Sequence, residues 1–165
     1  PMYRFHQPMM REVAYDGLEA KDRKRIHRII AKRLRVAAKQ GVAIPNARIA
    51  WHLERAGETE AAGSRYVAAG NAAAAIYSDR EALKLFDRAI PLIRANSHEK
   101  FRALALREQL LRYVGRFADR EAETIEMRRI AVLLNDDELI AEALTLRAQL
   151  EHDLGNFGKI GRAHV

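Results

Sequence analysis

Histidines, one glycine-flanked serine and several carboxylates are the side chains in this 165-residue sequence with the means to do chemistry. Six histidines invite a metal centre. A helical metal site needs two of them one turn apart, on one face. His6, His27, His52 and His98 are instead scattered along the chain, and His98-Glu99 has no second histidine four residues on. The simpler reading is packed or surface histidines, with His6 and His52 bonded to nearby backbone at helix junctions. Gly63-Ser64 lacks the G-x-S-x-G elbow that exposes a nucleophile. Glu121 and Glu123 read as partners of arginines at i+3 or i+4 on a helix. Asp136-Asp137-Glu138 reads as negative charge favoured at a helix N-terminus. Cysteine is absent, which removes disulfides, thiolate metal sites and a thiol nucleophile. These residues therefore suggest neither an enzyme nor a cofactor or metal site, and the expected role is binding.

Charge is the next chemical feature. The net charge is +7, and residues 21–39 hold Lys21, Arg23, Lys24, Arg25, Arg28, Lys32, Arg33, Arg35 and Lys39 against Asp22 alone. A basic block points to nucleic acid or another anionic surface, with Arg25, Arg28, Lys32 and Arg35 as candidate anion-binding residues. Ile26, Ile29, Ile30, Leu34 and Ala37 punctuate the block in steps of three and four. That spacing predicts an amphipathic helix docked by this apolar face, its basic face solvated. Single-strand binders interleave stacking aromatics with cations. The block has none, so the docked helix is the leading reading and nucleic-acid contact the alternative.

The elements that must position these groups are helices. Hydrophobic residues are 48% of the chain and charged residues 31%, which fits neither a disordered chain nor a membrane span. Strict alternation is missing and β-branched residues are few. Helical periodicity predicts a short helix over about Met9 to Leu18, with Val13, Ala14 and Leu18 inward. Further helices run from Lys21 to Gln40 and, after Pro45, through Ile49, Ala50, Trp51 and Leu53 to Gly57. Others run from Thr59 to Tyr77 and from Ser78. Ser78-Asp79-Arg80-Glu81 fits a capping box. Pro91 removes the bond to the residue-87 carbonyl and predicts a kink or an end. His98 to Val114 and Phe117 to Leu134 follow. Asn135 with Glu138 marks a last start, and Gly155 an end.

A repeat emerges at an offset of 40 residues: RALALREQLLRYVGRF (102–117) against EALTLRAQLEHDLGNF (142–157). Ala103, Leu104, Leu106, Arg107, Gln109, Leu110, Gly115 and Phe117 recur as Ala143, Leu144, Leu146, Arg147, Gln149, Leu150, Gly155 and Phe157. One helical hairpin cannot bury its apolar faces alone, so repeats of this length imply stacked hairpins. Trp51, Tyr66, Phe86, Phe101, Phe117 and Phe157 recur at hairpin junctions and read as core. Tyr66, Gly70, Ala82, Phe86 and Ala89 resemble the packing residues of a tetratricopeptide repeat. In that family small residues let the helices approach while an aromatic fills the gap. Ala73 replaces the family's second large residue, and the terminal proline has moved to Pro91.

A second resemblance spans about residues 3 to 158. Tyr3-Arg4-Phe5-His6 through Val13-Ala14-Tyr15 resembles a stretch of large bacterial signalling ATPases. Ala50-Trp51-His52-Leu53-Glu54-Arg55-Ala56-Gly57 resembles the Ala-x-His-x-x-x-Ala-Gly segment opening their helical repeats. These are ATPases associated with class III nucleotide cyclases. No G-x-x-x-x-G-K-[ST] loop and no acidic pair for magnesium occur in this sequence. The resemblance thus implies a non-catalytic stretch of a larger chain. Residues 1–42 would be a helical segment ending a winged-helix-like, ATPase-linked region, and 43–159 tetratricopeptide-like repeats. Pro1 in place of an initiator Met also suggests a piece of something longer. Residues 160–165 read as a non-native cloning or read-through tail.

The expectation is therefore an all-α protein of antiparallel helix hairpins stacked as a right-handed, tetratricopeptide-like superhelix. Its function would be a protein-interaction or regulatory arm, with the nucleic-acid module as the alternative. Arg107, Gln109, Arg147 and Gln149 are candidate partner-binding residues on a concave face. The partner would be a protein or peptide with acidic groups, the parent's own ATPase module among the candidates. Membrane association is not expected, and a cytoplasmic location fits the lack of cysteine. Leu144, Leu150 and Leu154 would lie under an uncapped apolar face, so self-association of the fragment is expected.

Overall fold

The computed structural model describes residue 13 and residues 15–163, with side chains as far as Gly155. Its helices are α1 (Ala20–Lys39), α2 (Asn46–Ala56), α3 (Thr59–Ala75), α4 (Asp79–Ala89), α5 (His98–Tyr113), α6 (Phe117–Leu134) and α7 (Asp137–Ala163), with a 3-10 turn at Ile90–Leu92 between α4 and α5. No strand occurs among the described residues, as the composition predicts. Each helix lies against the next in the chain, and α3 and the 3-10 turn also touch α5.

One turn is used five times. Helix ends at Gly41, Gly57, Tyr77, Gly115 and Asn135 place that residue at positive φ. At each, the following amide reaches back to a carbonyl one turn earlier: Val42 to Ala37, Glu58 to Leu53, Ser78 to Ala73, Arg116 to Leu111 and Asp136 to Ala131. This double closure satisfies the last helical carbonyls and requires a left-handed residue, which glycine and asparagine tolerate. Tyr77, with φ 57°, is the exception in the set. Pro91 ends α4 as expected, with α4 giving way to the 3-10 turn after Ala89.

Three apolar clusters run along the stack. Ala31, Ile49, Leu53, Tyr66 and Ile93 join α1 to the 3-10 region. Ala82, Leu83, Phe86, Leu110 and Leu111 join α4 to α5. Phe101, Leu104, Met127, Ile130 and Leu139 join α5, α6 and α7. Phe86 is fully buried, and a Cβ on Gly70 would lie 3.1 Å from two of its ring carbons. The small residue is thus what lets α3 approach that ring. Burying such a side chain contributes about 1.5–3 kcal/mol.

Several expectations are corrected. Most of the first expected helix, with Ala14 and His6, lies outside the described residues, and Val13 is exposed rather than inward. On α1 the buried residues are His27 and Ala31, with Leu34 and Ala38 half-buried, while Ile26 and Ile29 face solvent. The docked lane is rotated from the expected one because the lane of His27 and Ala31 fits closely against α2. Ser78 forms no side-chain cap, its carbonyl alone starting α4. Asn135 ends α6; Asp136 caps α7, its Oδ1 accepting from the Leu139 amide at 3.1 Å. That bond holds the Asp136 carboxyl below its usual range. Gly155 does not end α7, which continues to Ala163.

The 40-residue repeat is visible in burial. Ala103 and Ala143 are both buried, as are Leu110 and Leu150. Leu104 is buried whereas Leu144 is exposed, and buried Leu111 corresponds to exposed Glu151. The first pair of positions faces the neighbouring helices in both copies. The second pair is covered in α5 and open in α7. Leu154 is exposed too, but Leu150 is not part of that open face.

Candidate functional site

Among the candidate partner-binding residues, two arginines are already occupied. Arg107 bridges α4 and α6: its Nη2 lies 2.6 Å from Asp87 Oδ1, and its Nη1 bonds Glu123. Arg147 holds Glu121 at 3.0 Å and Glu151 at 2.9 Å. Gln149 is exposed and accepts from Arg112 Nη1 at 3.3 Å. Gln109 opens into one groove, and Arg147 lines a different one between α6 and α7. The four therefore do not form one binding face. Nor do Glu121 and Glu123 pair within their own helix; both reach arginines on neighbouring helices.

The groove that contains Gln109 lies between α3, α4 and α5 and has a volume of about 280 Å³. Phe86 and Leu110 line its apolar part; Asn71, Asp79 and Gln109 supply amide and carboxylate groups. Tyr77 and Tyr113 stand at its edge, 91% and 78% exposed. Both come from hairpin tips, and each tip carries a second exposed apolar residue, Ile76 and Val114. A left-handed conformation costs a residue with a Cβ about 1–2 kcal/mol. At Tyr77 that cost falls on a large side chain which packs on almost nothing. The two tyrosines were not legible as a pair in the sequence. The available signal was Tyr77 standing at a helix end where the other turns place glycine or asparagine.

The candidate anion-binding residues share one side of α1. Arg25, Arg28, Lys32 and Arg35 are all exposed. Arg28, Lys32, Arg35 and Lys39 line a common groove beside Leu53 and Glu58. Arg28 is partly spent there, donating to Glu58 Oε1 at 3.2 Å and to the Ala56 carbonyl, at the end of α2, at 3.3 Å.

Two polar clusters lie at helix junctions, the first half-buried around a buried His27 and the second buried around Arg120. Between α1 and α2, Tyr15 Oη lies 2.9 Å from His27 Nε2, and His27 Nδ1 lies 2.9 Å from His52 Nδ1. Trp51 meets both imidazoles edge-on, and the Arg55 guanidinium sits 4.2 Å over its ring. His52 thus bonds a side chain, not the backbone expected of it. Two facing Nδ1 atoms at this distance accommodate one proton between them, so both rings cannot be cationic together. Burial lowers the pKa of each. Arg55 adds to the effect at His27; the His27 ring, Arg48 and Arg55 add to it at His52.

The second cluster joins α5, α6 and α7. Arg120, fully buried, donates to Glu108 Oε1 at 2.7 Å and to Asp153 Oδ2 at 2.9 Å. Arg107 with Asp87 and Glu123 lies beside it. Burial pushes the Glu123 carboxyl up to about 7, overcoming the Arg107 charge. Asp87 and Glu108 push the same way. The second oxygens of Glu108 and Glu123 are buried without a partner. A proton kept on Glu123 relieves this crowding of carboxylates. Among the described residues no group of three or more His, Asp or Glu side chains could hold a metal ion, and no helix is long and apolar enough to cross a membrane.

Compared with family models, curated proteins and solved structures, the chain matches none of them.

Proposed function

We propose that this chain is a protein-interaction arm, its helix hairpins stacked as a tetratricopeptide-like superhelix, that binds a protein segment in the groove between α3 and α5. The observation that carries this reading is Tyr77. A turn that otherwise uses glycine or asparagine here holds a tyrosine, exposed beside a groove shared with Tyr113. Local strain retained at a solvent-facing aromatic fits selection for binding. Exposed tyrosines flanked by amide groups are what a protein interface uses to combine apolar area with hydrogen bonds. Tyr77→Gly separates fold from function. It should stabilise the protein by about 1 kcal/mol and weaken peptides selected from a displayed random library about tenfold or more. Selected peptides that bind Y77G and Tyr113→Ala as tightly as the wild type would overturn the reading.

The resemblance to signalling ATPases extends the proposal: the groove holds a segment of the parent's own ATPase module and biases its activity. Unchanged nucleotide turnover in a parent lacking this arm would sink that extension. The exposed leucines Leu144, which shares a groove with Ile125, and Leu154 support self-association of the isolated chain. Sedimentation at micromolar concentrations checks it, and a strictly monomeric profile counts against it.

One observation favours a nucleic-acid module instead, namely the groove shared by Arg28, Lys32, Arg35 and Lys39. About five neutralised phosphates would give a log–log salt slope near −4 to −5 on duplex DNA. A shallow slope would dismiss it.

A further inference from the structure

Beyond the groove, and independent of it, α1 carries a second surface. Its residues fall into three lanes that each repeat in steps of three and four. The inner lane is His27, Ala31, Leu34 and Ala38, which packs on α2. The second is Lys21, Arg25, Arg28, Lys32, Arg35 and Lys39, all exposed. The third is Ile26, Ile29, Arg33, Val36 and Gln40, also all exposed, with Ile29 and Val36 at 46% and 48%. Any lane of a helix repeats in such steps; what sets these two apart is that one is wholly cationic and the other leaves Ile26, Ile29 and Val36 open to solvent. The basic lane meets α2 through Arg28, which bonds Glu58 and the Ala56 carbonyl, and Lys21 pairs with Glu19.

We propose that these two lanes form a docking strip for an acidic amphipathic helix, whose apolar seam lies on Ile26, Ile29 and Val36 and whose carboxylates face the Lys21–Lys39 row. Charge complementarity selects the occupant. Residues 21–39 carry nine cations against Asp22, and the first twelve residues of the chain, with Arg4 and Arg11 against Glu12, supply no acidic complement. A phosphate backbone would use the basic lane and leave the apolar lane wet; the strip also lacks the aromatics on which bases stack. A bilayer would favour interfacial aromatic anchors and a continuous apolar lane. This lane holds no aromatic, and Arg33 interrupts it. In a helix pair such a charge at a seam position sets register by demanding an acid opposite it.

The test uses the full chain and a designed acidic peptide of about three heptads, with leucine at the seam and glutamate beside it. Fluorescence anisotropy at physiological salt compares it with a lysine-flanked version, a duplex oligonucleotide and vesicles rich in phosphatidylserine. The acidic peptide should bind. Its affinity should fall about tenfold or more in both Ile29→Ser/Val36→Ser and Lys32→Glu/Arg35→Glu, whereas the lysine version should not bind. All four positions are exposed, so the variants should keep the wild-type melting profile, which is checked first. Failure of the acidic peptide to bind overturns the proposal. So does peptide affinity that ignores the I29S/V36S change. Tighter binding to the oligonucleotide or the vesicles than to the peptide overturns it in favour of those partners.

Discussion

The seam between α1 and α2 and the junction of α5, α6 and α7 both bury polar side chains, yet they favour opposite charge states. The first holds Tyr15, His27 and His52 in a neutral chain, and burial keeps both imidazoles below their usual range. The second encloses Arg107 and Arg120 among four carboxylates and pushes Glu123 up to about 7. In the seam the proton is excluded; in the junction it is retained. Burial disfavours the charged form in each case, and the sign follows from whether the group is a base or an acid.

The largest effect should come from breaking the junction. Arg120→Met strands buried Glu108 and should cost about 3–5 kcal/mol in chemical denaturation. Replacing Glu108 by leucine as well should recover most of the loss, because two well-packed apolar groups leave no buried charge behind. A double variant as unstable as the single one would mean that Arg120 acts through its packing.

The pH dependence sharpens the contrast. Glu123 binds its proton more tightly folded than unfolded, so its contribution to stability is present at low pH and is lost as pH rises from about 4.5 to about 7. The loss amounts to at most about 3 kcal/mol. The histidines bind protons less tightly when folded, so their contribution is present above pH 6.5 and is lost as pH falls below it. In Glu123→Gln the falling slope should vanish, leaving stability that rises with pH up to about 6.5. Denaturation midpoints across that range decide it; a slope identical to wild type would remove Glu123 from the account.

Glycines give a smaller test. Gly70→Ala places a methyl 3.1 Å from the Phe86 ring and should cost about 1–2 kcal/mol. Gly155→Ala, with nothing within 4 Å, should stabilise α7 by about 0.5–1 kcal/mol. Thermal melting that moves both in the same direction would contradict this packing. The smallest contrast concerns caps. Asp136→Ala should cost about 1 kcal/mol because its carboxylate holds the Leu139 amide. Ser78→Ala should change the melting temperature hardly at all, since that hydroxyl caps nothing. Equal losses would mean that Ser78 caps α4 in solution.

Most helix boundaries were legible in the chain itself. Gly41, Gly57, Gly115 and Pro91 end helices through backbone chemistry that needs no tertiary partner. The packing of Phe86 against Gly70 was expected from the resemblance of Tyr66, Gly70, Ala82, Phe86 and Ala89 to the packing residues of a tetratricopeptide repeat. The functional surfaces were less legible. Arg107 and Arg147 read as partner-binding residues, because nothing in their own helices announces Asp87, Glu123 or Glu121 across the interface. Gly155 matched Gly115 in sequence, yet α7 continues past it.

What the sequence determined by itself is the all-helical class, most of the places where helices stop, and the concentration of positive charge on α1. Each is local, set by dihedral preference or by composition. Only the tertiary structure decided which lane of α1 is buried, that His27 meets His52 across 25 positions, and that two tyrosines from different hairpins edge one groove. A helical period generates several equivalent lanes, and the choice among them belongs to the surface that packs against it.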